Sequence, residues 1–303
     1  MTPSYISLHE NGILDEIKNK LLEELGSCDL CPHKCKVNRN NDETGFCEIG
    51  RLAKVSNFFL HFGEEQELVG EGGSGTIFFS GCNLRCIFCQ NYTLSHLGEG
   101  QIVTPQELAG MMLVLQNNGA ENINFVTPTQ VIAQIIEALP LAINKGLTLP
   151  LVYNCGGYEN PEVLRLIKGI FDIYMPDIKY ADDEIAAKFS CAPDYWEKVK
   201  TVIKEMYSQV GDLLIEEGIA KRGLLLRHLV LPQRLAGSFE ILDFIKEEIS
   251  LDTYVNIMEQ YRPCYRAGEF KELSRRLTDR EYEEVIEYAQ KIGLYRGFPH
   301  PLT

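Results

Sequence analysis

Three closely spaced cysteines, Cys82, Cys86 and Cys89, follow an apolar stretch with the spacing C-x3-C-x2-C. Zinc sites usually use four ligands, often in paired C-x2-C units, and four-iron clusters take one thiolate on each iron. Three thiols on one loop can hold three irons and leave the fourth iron open. An open iron can chelate a small ligand, so the spacing predicts a reactive iron–sulfur site. A zinc knuckle and three incidental core thiols are the alternatives.

A second cysteine group precedes the first one. Cys28, Cys31, Cys35 and Cys47 have the spacing C-x2-C-x3-C-x11-C, and His33 lies inside the run. Four thiols fit either a closed zinc site or a complete four-iron cluster, and either would fix a segment too small to fold on its own core. The interpretation favours an iron–sulfur cluster, with zinc as the alternative.

The composition argues against a general nucleic-acid binder and against a membrane-spanning chain. With 29 Lys and Arg against 43 Asp and Glu, the net charge is −14, which argues against a general nucleic-acid binder. No apolar run approaches the ~18–20 residues that span a bilayer, and the first residues lack a signal-peptide pattern. Clustered cysteines in such a chain predict metal ligands and a cytoplasmic location, with no membrane partner.

Apolar strands alternate with helices along most of the chain, which predicts a parallel sheet of βαβ units. About six units follow residue 76, short of the eight of a full barrel. Polar residues at the strand ends are therefore expected at one face, where parallel α/β folds place their sites. The predicted strands cover residues 53–62, 76–79, 122–126, 149–154, 171–178, 224–231 and 253–258, and the predicted helices cover residues 10–26, 105–116, 129–144, 161–168, 194–210, 239–249 and 279–292.

The pattern also predicts two parts of unequal size. Residues 63–75 are acidic and rich in glycine, which is typical of a hinge. The predicted domains are residues 1–70, an N-terminal helix with the four-cysteine segment, and residues 71–303, the main α/β domain.

The three-cysteine loop resembles the cluster motif of the radical S-adenosylmethionine (SAM) superfamily, including the aromatic Phe88 before the third cysteine. The resemblance is closer to relatives of pyruvate formate-lyase activating enzyme, in particular the PflX-type members, and it covers essentially the whole chain. It implies a partial (β/α)6 TIM-type barrel with an N-terminal Cys-rich extension, and it places Phe88 at the cofactor. The segments that carry it are TIFFSGCNLRCIFCQNY (76–92), YMPDIKY (174–180), RHLVLP (227–232), MEQYRP (258–263), LSRRLTDREYEEV (273–285) and the leader (28–51), which contains CDLCPHKCKV (28–37) and GFCEIGR (45–51).

The resemblance implies a reaction and its partners. In that family, SAM chelates the open iron of a 4Fe-4S cluster through its amino and carboxylate groups. An electron from the cluster cleaves SAM, and the 5′-deoxyadenosyl radical abstracts hydrogen from a substrate. The resemblance therefore implies an electron donor of the flavodoxin or ferredoxin type. It also implies a protein or peptide substrate, such as the glycyl loop of a partner enzyme.

The resemblance assigns roles to polar residues near predicted strand ends. Lys179 matches a lysine that reaches the SAM carboxylate, and Asp177 matches an aspartate of a nearby cation site. Asn154 and Met175 fall where other members of that cation site would be, although activating enzymes typically have Asp in place of Asn154. Arg227 matches an arginine that contacts SAM. For each charged residue, a surface salt bridge is the structural alternative.

One segment departs from the family pattern. The family often has Gly-Gly-Glu after its second strand, where it binds the SAM amino group, whereas this chain has Val-Thr-Pro-Thr at 126–129. Hydroxyl and carbonyl oxygens of Thr127 and Thr129 can accept hydrogen bonds from an ammonium but lack a carboxylate charge. A helix-capping role for either threonine is the alternative.

Three further hypotheses for the whole chain stay open. Hydrogen abstraction can act on another peptide, a nucleotide or a small molecule. A non-catalytic iron–sulfur carrier or scaffold, or a zinc-stabilised binding module, would use the same cysteines without cleaving SAM.

Overall fold

Six parallel strands form the centre of the fold in a computed structural model that describes residues 2–299. They pair in the order β2-β4-β5-β6-β8-β9. This arrangement confirms the predicted α/β class and the partial barrel of six βα units. The strands are β1 (Ala53–His61), β2 (Ser74–Phe79), β3 (Gln101–Val103), β4 (Asn122–Val126), β5 (Leu151–Cys155), β6 (Ile173–Pro176), β7 (Leu214–Glu216), β8 (Ile219–Leu229) and β9 (Tyr254–Met258).

The longer helices cover the outer face of the sheet. Four of the shorter ones, α1 (Ser4–Glu10), α3 (Gln66–Val69), α4 (Tyr92–Ser95) and α8 (Asp183–Ser190), were not predicted, and neither were β3 and β7. Within residues 2–299, no helix is both long and apolar enough to cross a membrane. The helices are α1 (Ser4–Glu10), α2 (Ile13–Glu24), α3 (Gln66–Val69), α4 (Tyr92–Ser95), α5 (Pro105–Asn117), α6 (Ile132–Ile143), α7 (Pro161–Leu166), α8 (Asp183–Ser190), α9 (Tyr195–Val210), α10 (Ser238–Glu248) and α11 (Asp279–Lys291).

Local sequence signals fix several of these boundaries. The α5 helix begins after Thr104, whose hydroxyl and Glu107 form a reciprocal capping box with Pro105 at the first position. The same arrangement of Thr278 and Glu281 starts α11. The apolar α6 helix is buried on most sides because both α5 and the N-terminal α2 pack on it.

The N-terminal segment is joined to the barrel through the sheet. β1 pairs antiparallel with β2, and β3 pairs antiparallel with β1. The glycine-rich segment after β1 is packed against the barrel and does not form an open hinge. Leu68 of α3 is fully buried among Val152, Ile173 and Met175 inside the barrel. This burial fixes the acidic residues next to Leu68 at the inner wall.

Candidate functional site

The three-cysteine loop begins where β2 ends, at the carboxyl edge of the parallel strands. Gly81 has φ +73°, and a Cβ there would lie 2.4 Å from the carbonyl oxygen of Cys47. Glycine is therefore required both by the backbone conformation and by the close approach of the leader. The loop ends before α4.

The sulfur atoms of Cys82, Cys86 and Cys89 face one cavity. Burial raises the pKa of the Cys86 thiol to about 11. Hydrogen bonds to sulfur favour the thiolate form that binds metal. Each sulfur accepts one such bond: Cys82 from the Leu84 amide at 3.3 Å, Cys86 from the Ser190 hydroxyl at 3.0 Å and Cys89 from the Ser95 hydroxyl at 3.2 Å.

Two cations and a carboxylate line the same cavity beside the thiols. One oxygen of Asp177 accepts from Lys179 Nζ at 2.6 Å, and the other accepts from Arg227 Nε at 2.8 Å. Burial acts to raise the pKa of Asp177, but the Arg227 and Lys179 cations outweigh it and hold that pKa below its usual range. Arg227 Nη2 also donates to Asn154 Oδ1 at 2.8 Å. The strand-end residues predicted to contact SAM therefore converge.

A carboxylate that the sequence patterns did not single out completes this group. Glu64, in the segment before α3, accepts from Arg227 Nη1 at 3.2 Å. Its second oxygen accepts from the amides of Asn124 at 2.9 Å and Asn154 at 3.4 Å. Glu64 and Arg227 line a cavity that also reaches Cys86. Because 163 residues separate Glu64 from Arg227, only the fold reveals this contact.

The structure separates the two threonines that were predicted at the SAM amino group. Thr127 lines the thiol cavity and has φ +61°, an uncommon backbone conformation for threonine. Thr129 is buried and lies outside the lining of that cavity, because its hydroxyl donates to Glu159 Oε1 at 2.7 Å. Thr129 therefore belongs to a buried hydrogen-bonded pair with Glu159 and does not line the cavity.

Glu159 itself is a buried acid beneath the site. Its second oxygen accepts from the Tyr153 hydroxyl at 2.9 Å. Burial raises its pKa to about 7, while the hydrogen bonds from Thr129 and Tyr153 act in the opposite direction. The carboxyl group therefore titrates near neutral pH.

Phe88 and Met175 are both buried, each in a different apolar environment. Phe88 is buried, with its ring edge-on to Tyr261 at 5.8 Å and to Tyr180 at 6.4 Å between centroids. It also borders the cavity that Glu64 lines. Met175 is fully buried in the apolar cluster inside the barrel.

The four leader cysteines line one small cavity of their own. The backbone amide of Phe46 donates a hydrogen bond to Cys35 Sγ at 3.4 Å, as the Leu84 amide does to Cys82 Sγ in the three-cysteine loop. Among residues 2–299, no three His, Cys, Asp or Glu side chains converge closely enough to hold a single metal ion.

The leader is in direct contact with the three-cysteine loop. His33 contacts the loop directly, because its Nε2 lies 2.8 Å from the carbonyl oxygen of Asn83 while its ring stacks on Phe46 of the leader. Arg85 Nη2 donates to the carbonyl of Phe46 at 2.9 Å and pairs with Glu48 at 2.7 Å. The two cysteine groups are thus neighbours in space.

The donor set fits the cofactor that the spacing predicts. Three partly or fully buried thiols, each with a hydrogen bond to sulfur, can ligate three irons of a 4Fe-4S cluster. The cations beside them suit the carboxylate of an amino-acid ligand on the fourth iron.

A comparison with protein-family models identifies residues 76–212 as a match to the radical SAM superfamily. That range contains the three-cysteine loop together with Asp177 and Lys179. This chain belongs to the radical SAM superfamily. Membership implies a 4Fe-4S cluster and SAM as cofactors and a radical SAM enzyme as the general class.

Similarity to curated proteins reaches beyond residues 76–212. An uncharacterized protein of Methanocaldococcus jannaschii is 35% identical over 278 residues, which are 88% of this chain and 75% of that protein. The pyruvate formate-lyase-activating enzyme of Clostridium pasteurianum is 29% identical over 135 residues, 41% of this chain and 54% of that enzyme. The chain thus covers about half of the activating enzyme.

Solved structures share the radical SAM fold at low sequence identity. The FeFe-hydrogenase maturase HydG from Carboxydothermus hydrogenoformans has a TM-score of 0.51 at 12% identity, covering 98% of this chain and 71% of HydG. A structure of anSMEcpe with bound AdoMet and Cp18Cys peptide has a TM-score of 0.51 at 13% identity, covering 72% of this chain and 60% of that chain. These similarities establish the partial barrel.

Proposed function

We propose that this chain cleaves SAM reductively at a cluster held by Cys82, Cys86 and Cys89 and abstracts hydrogen from a protein substrate. The supporting observation is that three thiols, Lys179 and Arg227 share one cavity at the carboxyl ends of the strands. When bound, the cluster supplies the electron that splits SAM into methionine and a 5′-deoxyadenosyl radical. The protein's part is to position SAM and to shelter the reaction.

The charged residues provide complementary contacts for the amino-acid end of SAM. Lys179 and Arg227 are the proposed partners of its carboxylate, and Asp177 holds both cations in place. Burial acts to lower the pKa of Lys179, but Asp177 and Cys86 outweigh it, so the amine stays protonated. The side-chain oxygen of Asn154 accepts a hydrogen bond from Arg227 Nη2 and so helps to orient the guanidinium.

The SAM ammonium requires oxygen acceptors on the other side of the cavity. Thr127 lines the cavity, and we assign its backbone and hydroxyl oxygens to this contact. Glu64 adds the carboxylate charge that the family usually places after the second strand. Phe88 borders a cavity together with Cys86 and Cys89, and we assign it to the cofactor.

A glycyl site of a partner enzyme is the proposed substrate. The support is the partial similarity to the pyruvate formate-lyase-activating enzyme of Clostridium pasteurianum. An electron donor of the flavodoxin or ferredoxin type is the proposed redox partner.

The leader is proposed to hold a second metal centre on Cys28, Cys31, Cys35 and Cys47. The cavity that the four thiols share and the hydrogen bond from the Phe46 amide to Cys35 Sγ support this assignment. An iron–sulfur cluster is the favoured occupant. Zinc, the alternative, would require the thiols to move closer together, since no three of them converge on a single ion within residues 2–299. Residues 1–70 and 71–303 are the corresponding proposed units, with β1 pairing across the boundary.

A labelled substrate tests the glycyl assignment. The reconstituted chain is incubated anaerobically with reductant, SAM and each candidate glycyl radical enzyme, deuterated at its glycine Cα positions. We expect a glycyl radical in the electron paramagnetic resonance (EPR) spectrum and deuterium in 5′-deoxyadenosine. If 5′-deoxyadenosine forms without deuterium or a protein radical, the substrate is another peptide, a nucleotide or a small molecule.

A non-catalytic carrier or scaffold makes a different prediction for the same protein. Such a carrier would bind SAM equally in the wild type and in Lys179→Ala, because no SAM contact would depend on that amine. The proposed function requires weaker SAM binding by the variant, measured by calorimetry at equal iron content.

A further inference from the structure

The leader contains a buried arginine whose charge lacks a carboxylate partner. Arg39 is 1% exposed, and no Asp or Glu within residues 2–299 forms an ion pair with it. Its Nε donates to the carbonyl of Gly50 at 3.0 Å and its Nη1 to the carbonyl of Gln130 at 2.8 Å. Its Nη2 is buried without a hydrogen-bond partner.

A buried guanidinium needs a counter-charge. Arginine stays protonated in proteins, and an uncompensated buried charge is strongly destabilising. Carbonyl dipoles satisfy two of its N–H groups but supply no full negative charge. The electrostatics therefore require an anion in the surroundings of Arg39.

The surroundings of Arg39 are the four leader cysteines. Arg39 lines the cavity formed by the four thiols, and its Nη1 lies 3.9 Å from Cys28 Sγ. Neutral thiols do not compensate a cation, whereas metal-bound thiolates do. Four thiolates around a doubly charged zinc ion, or around a 4Fe-4S core of the same charge, leave a net charge of about −2.

We propose that Arg39 is the buried counter-ion of an anionic four-thiolate metal centre in the leader. This inference rests on the second centre of the proposed function and deepens it. The arginine positions and neutralises the centre without ligating it. Removing Arg39 should therefore weaken metal retention even though all four ligands remain.

The same arginine connects the leader to the radical SAM loop. Gln130, whose carbonyl accepts from Arg39, donates through Nε2 to the carbonyls of Gly81 at 3.0 Å and Ser80 at 3.3 Å. Gly81 is the residue before Cys82. Metal binding by the leader would therefore hold Arg39 in place, and through Gln130 it would also hold the backbone of Ser80 and Gly81, just before Cys82.

The test measures metal binding by the leader alone, in a full-length chain whose three loop cysteines are removed. A parent with Cys82, Cys86 and Cys89 each replaced by Ala is reconstituted with zinc in one arm and with iron and sulfide in the other. About one zinc or about four irons per chain are expected, which identifies the occupant. Retention is then measured by competition with a chelator.

Arg39→Met should lower metal affinity by about 10- to 100-fold, the usual cost of removing a partner that tunes a metal site. Arg39→Lys keeps the positive charge, so its metal affinity should fall less than that of Arg39→Met. Arg51→Met is the matched control, because Arg51 belongs to the same leader but already has a carboxylate partner in Glu137 at 2.7 Å. Its metal affinity should match that of the parent.

A second readout separates a counter-ion from a purely structural arginine. Without metal, Arg39→Met removes an unpaired buried charge, so its unfolding midpoint should equal or exceed that of the metal-free parent. With metal bound, the unfolding midpoint of Arg39→Met should lie below that of the parent. Equal metal affinity in Arg39→Met and the parent would overturn the counter-ion role. A parent that binds neither metal would instead overturn the leader centre itself, whatever the radical SAM activity.

Discussion

At the scale of single residues, the candidate site is a balanced group of charges. Asp177 and Glu64 carry the negative charges, and Lys179 and Arg227 carry the positive ones. Such a pocket matches a zwitterionic amino-acid group better than a simple anion or cation. Three of these residues stood out because their sequence segments resemble known motifs. Glu64 did not, since it lies in a glycine-rich segment without a motif.

Glu64→Gln tests the acceptor that the fold revealed. We expect the Kd for SAM to rise by roughly tenfold, because an acceptor bond to a charged group is worth ~1.5 kcal/mol or more. Calorimetry on iron-loaded protein measures this change. Glu67→Gln is the matched control, because Glu67 lies in the same segment but accepts from the Tyr254 hydroxyl at 2.7 Å. Unchanged or tighter SAM binding by Glu64→Gln would mean that Glu64 only neutralises Arg227.

Glu159 predicts a pH dependence of stability. Its folded-state pKa is about 7 and its ordinary value is 4.5. Between these values the folded chain holds the proton and the unfolded chain does not, so the free energy of unfolding falls as pH rises through this window. The full effect is on the order of 3 kcal/mol above pH 7.

Denaturant unfolding at pH 5 and pH 8 checks this expectation. The fall in stability between the two pH values should be smaller in Glu159→Gln than in the wild type. Burial also raises the pKa of Asp172, to about 6. The Glu159→Gln variant should therefore keep part of the fall in unfolding free energy with rising pH. Identical slopes in both proteins would rule out a buried titrating carboxyl at Glu159.

At the scale of elements, the cluster loop depends on a contact with the leader as well as on its own strand. β2 places the loop at the carboxyl edge of the barrel, and Gly81 lets the backbone approach Cys47. Periodicity predicted β2, α5 and α11 well because each shows a single dominant pattern. It missed α1, α3, α4 and α8, which are short. It also predicted a hinge around Leu68, because burial inside a barrel leaves no local signature in the sequence.

Gly81→Ala tests the contact between loop and leader. The new Cβ would meet the Cys47 carbonyl at 2.4 Å in a conformation with φ +73°. We expect a loss of more than about 2 kcal/mol in unfolding free energy and a lower iron content after reconstitution. Gly110→Ala is the matched control, since that helical position has open space and should gain up to ~1 kcal/mol. Full iron retention and unchanged stability in Gly81→Ala would contradict the contact.

At the scale of the whole molecule, the sequence was sufficient to predict the fold class and the position of the three-cysteine loop after a strand. Six apolar strands alternate with helices, and the C-x3-C-x2-C loop follows the first of them. The contacts that shape the cavity were not predictable, since they join distant segments: Glu64 with Arg227, and Arg39 with Gln130. Thr129 illustrates the same limit, because its partner Glu159 is only apparent in the fold.

The most direct measurement is the yield of 5′-deoxyadenosine. The anaerobically reconstituted chain is mixed with dithionite and SAM, and the product is quantified by mass spectrometry. Cys86→Ala removes one thiol of the loop, and Cys191→Ala, at an exposed cysteine, is the matched control. The account predicts product from the wild type and Cys191→Ala and essentially none from Cys86→Ala. A fully iron-loaded wild type that forms no 5′-deoxyadenosine, alone or with its candidate substrates, would contradict it.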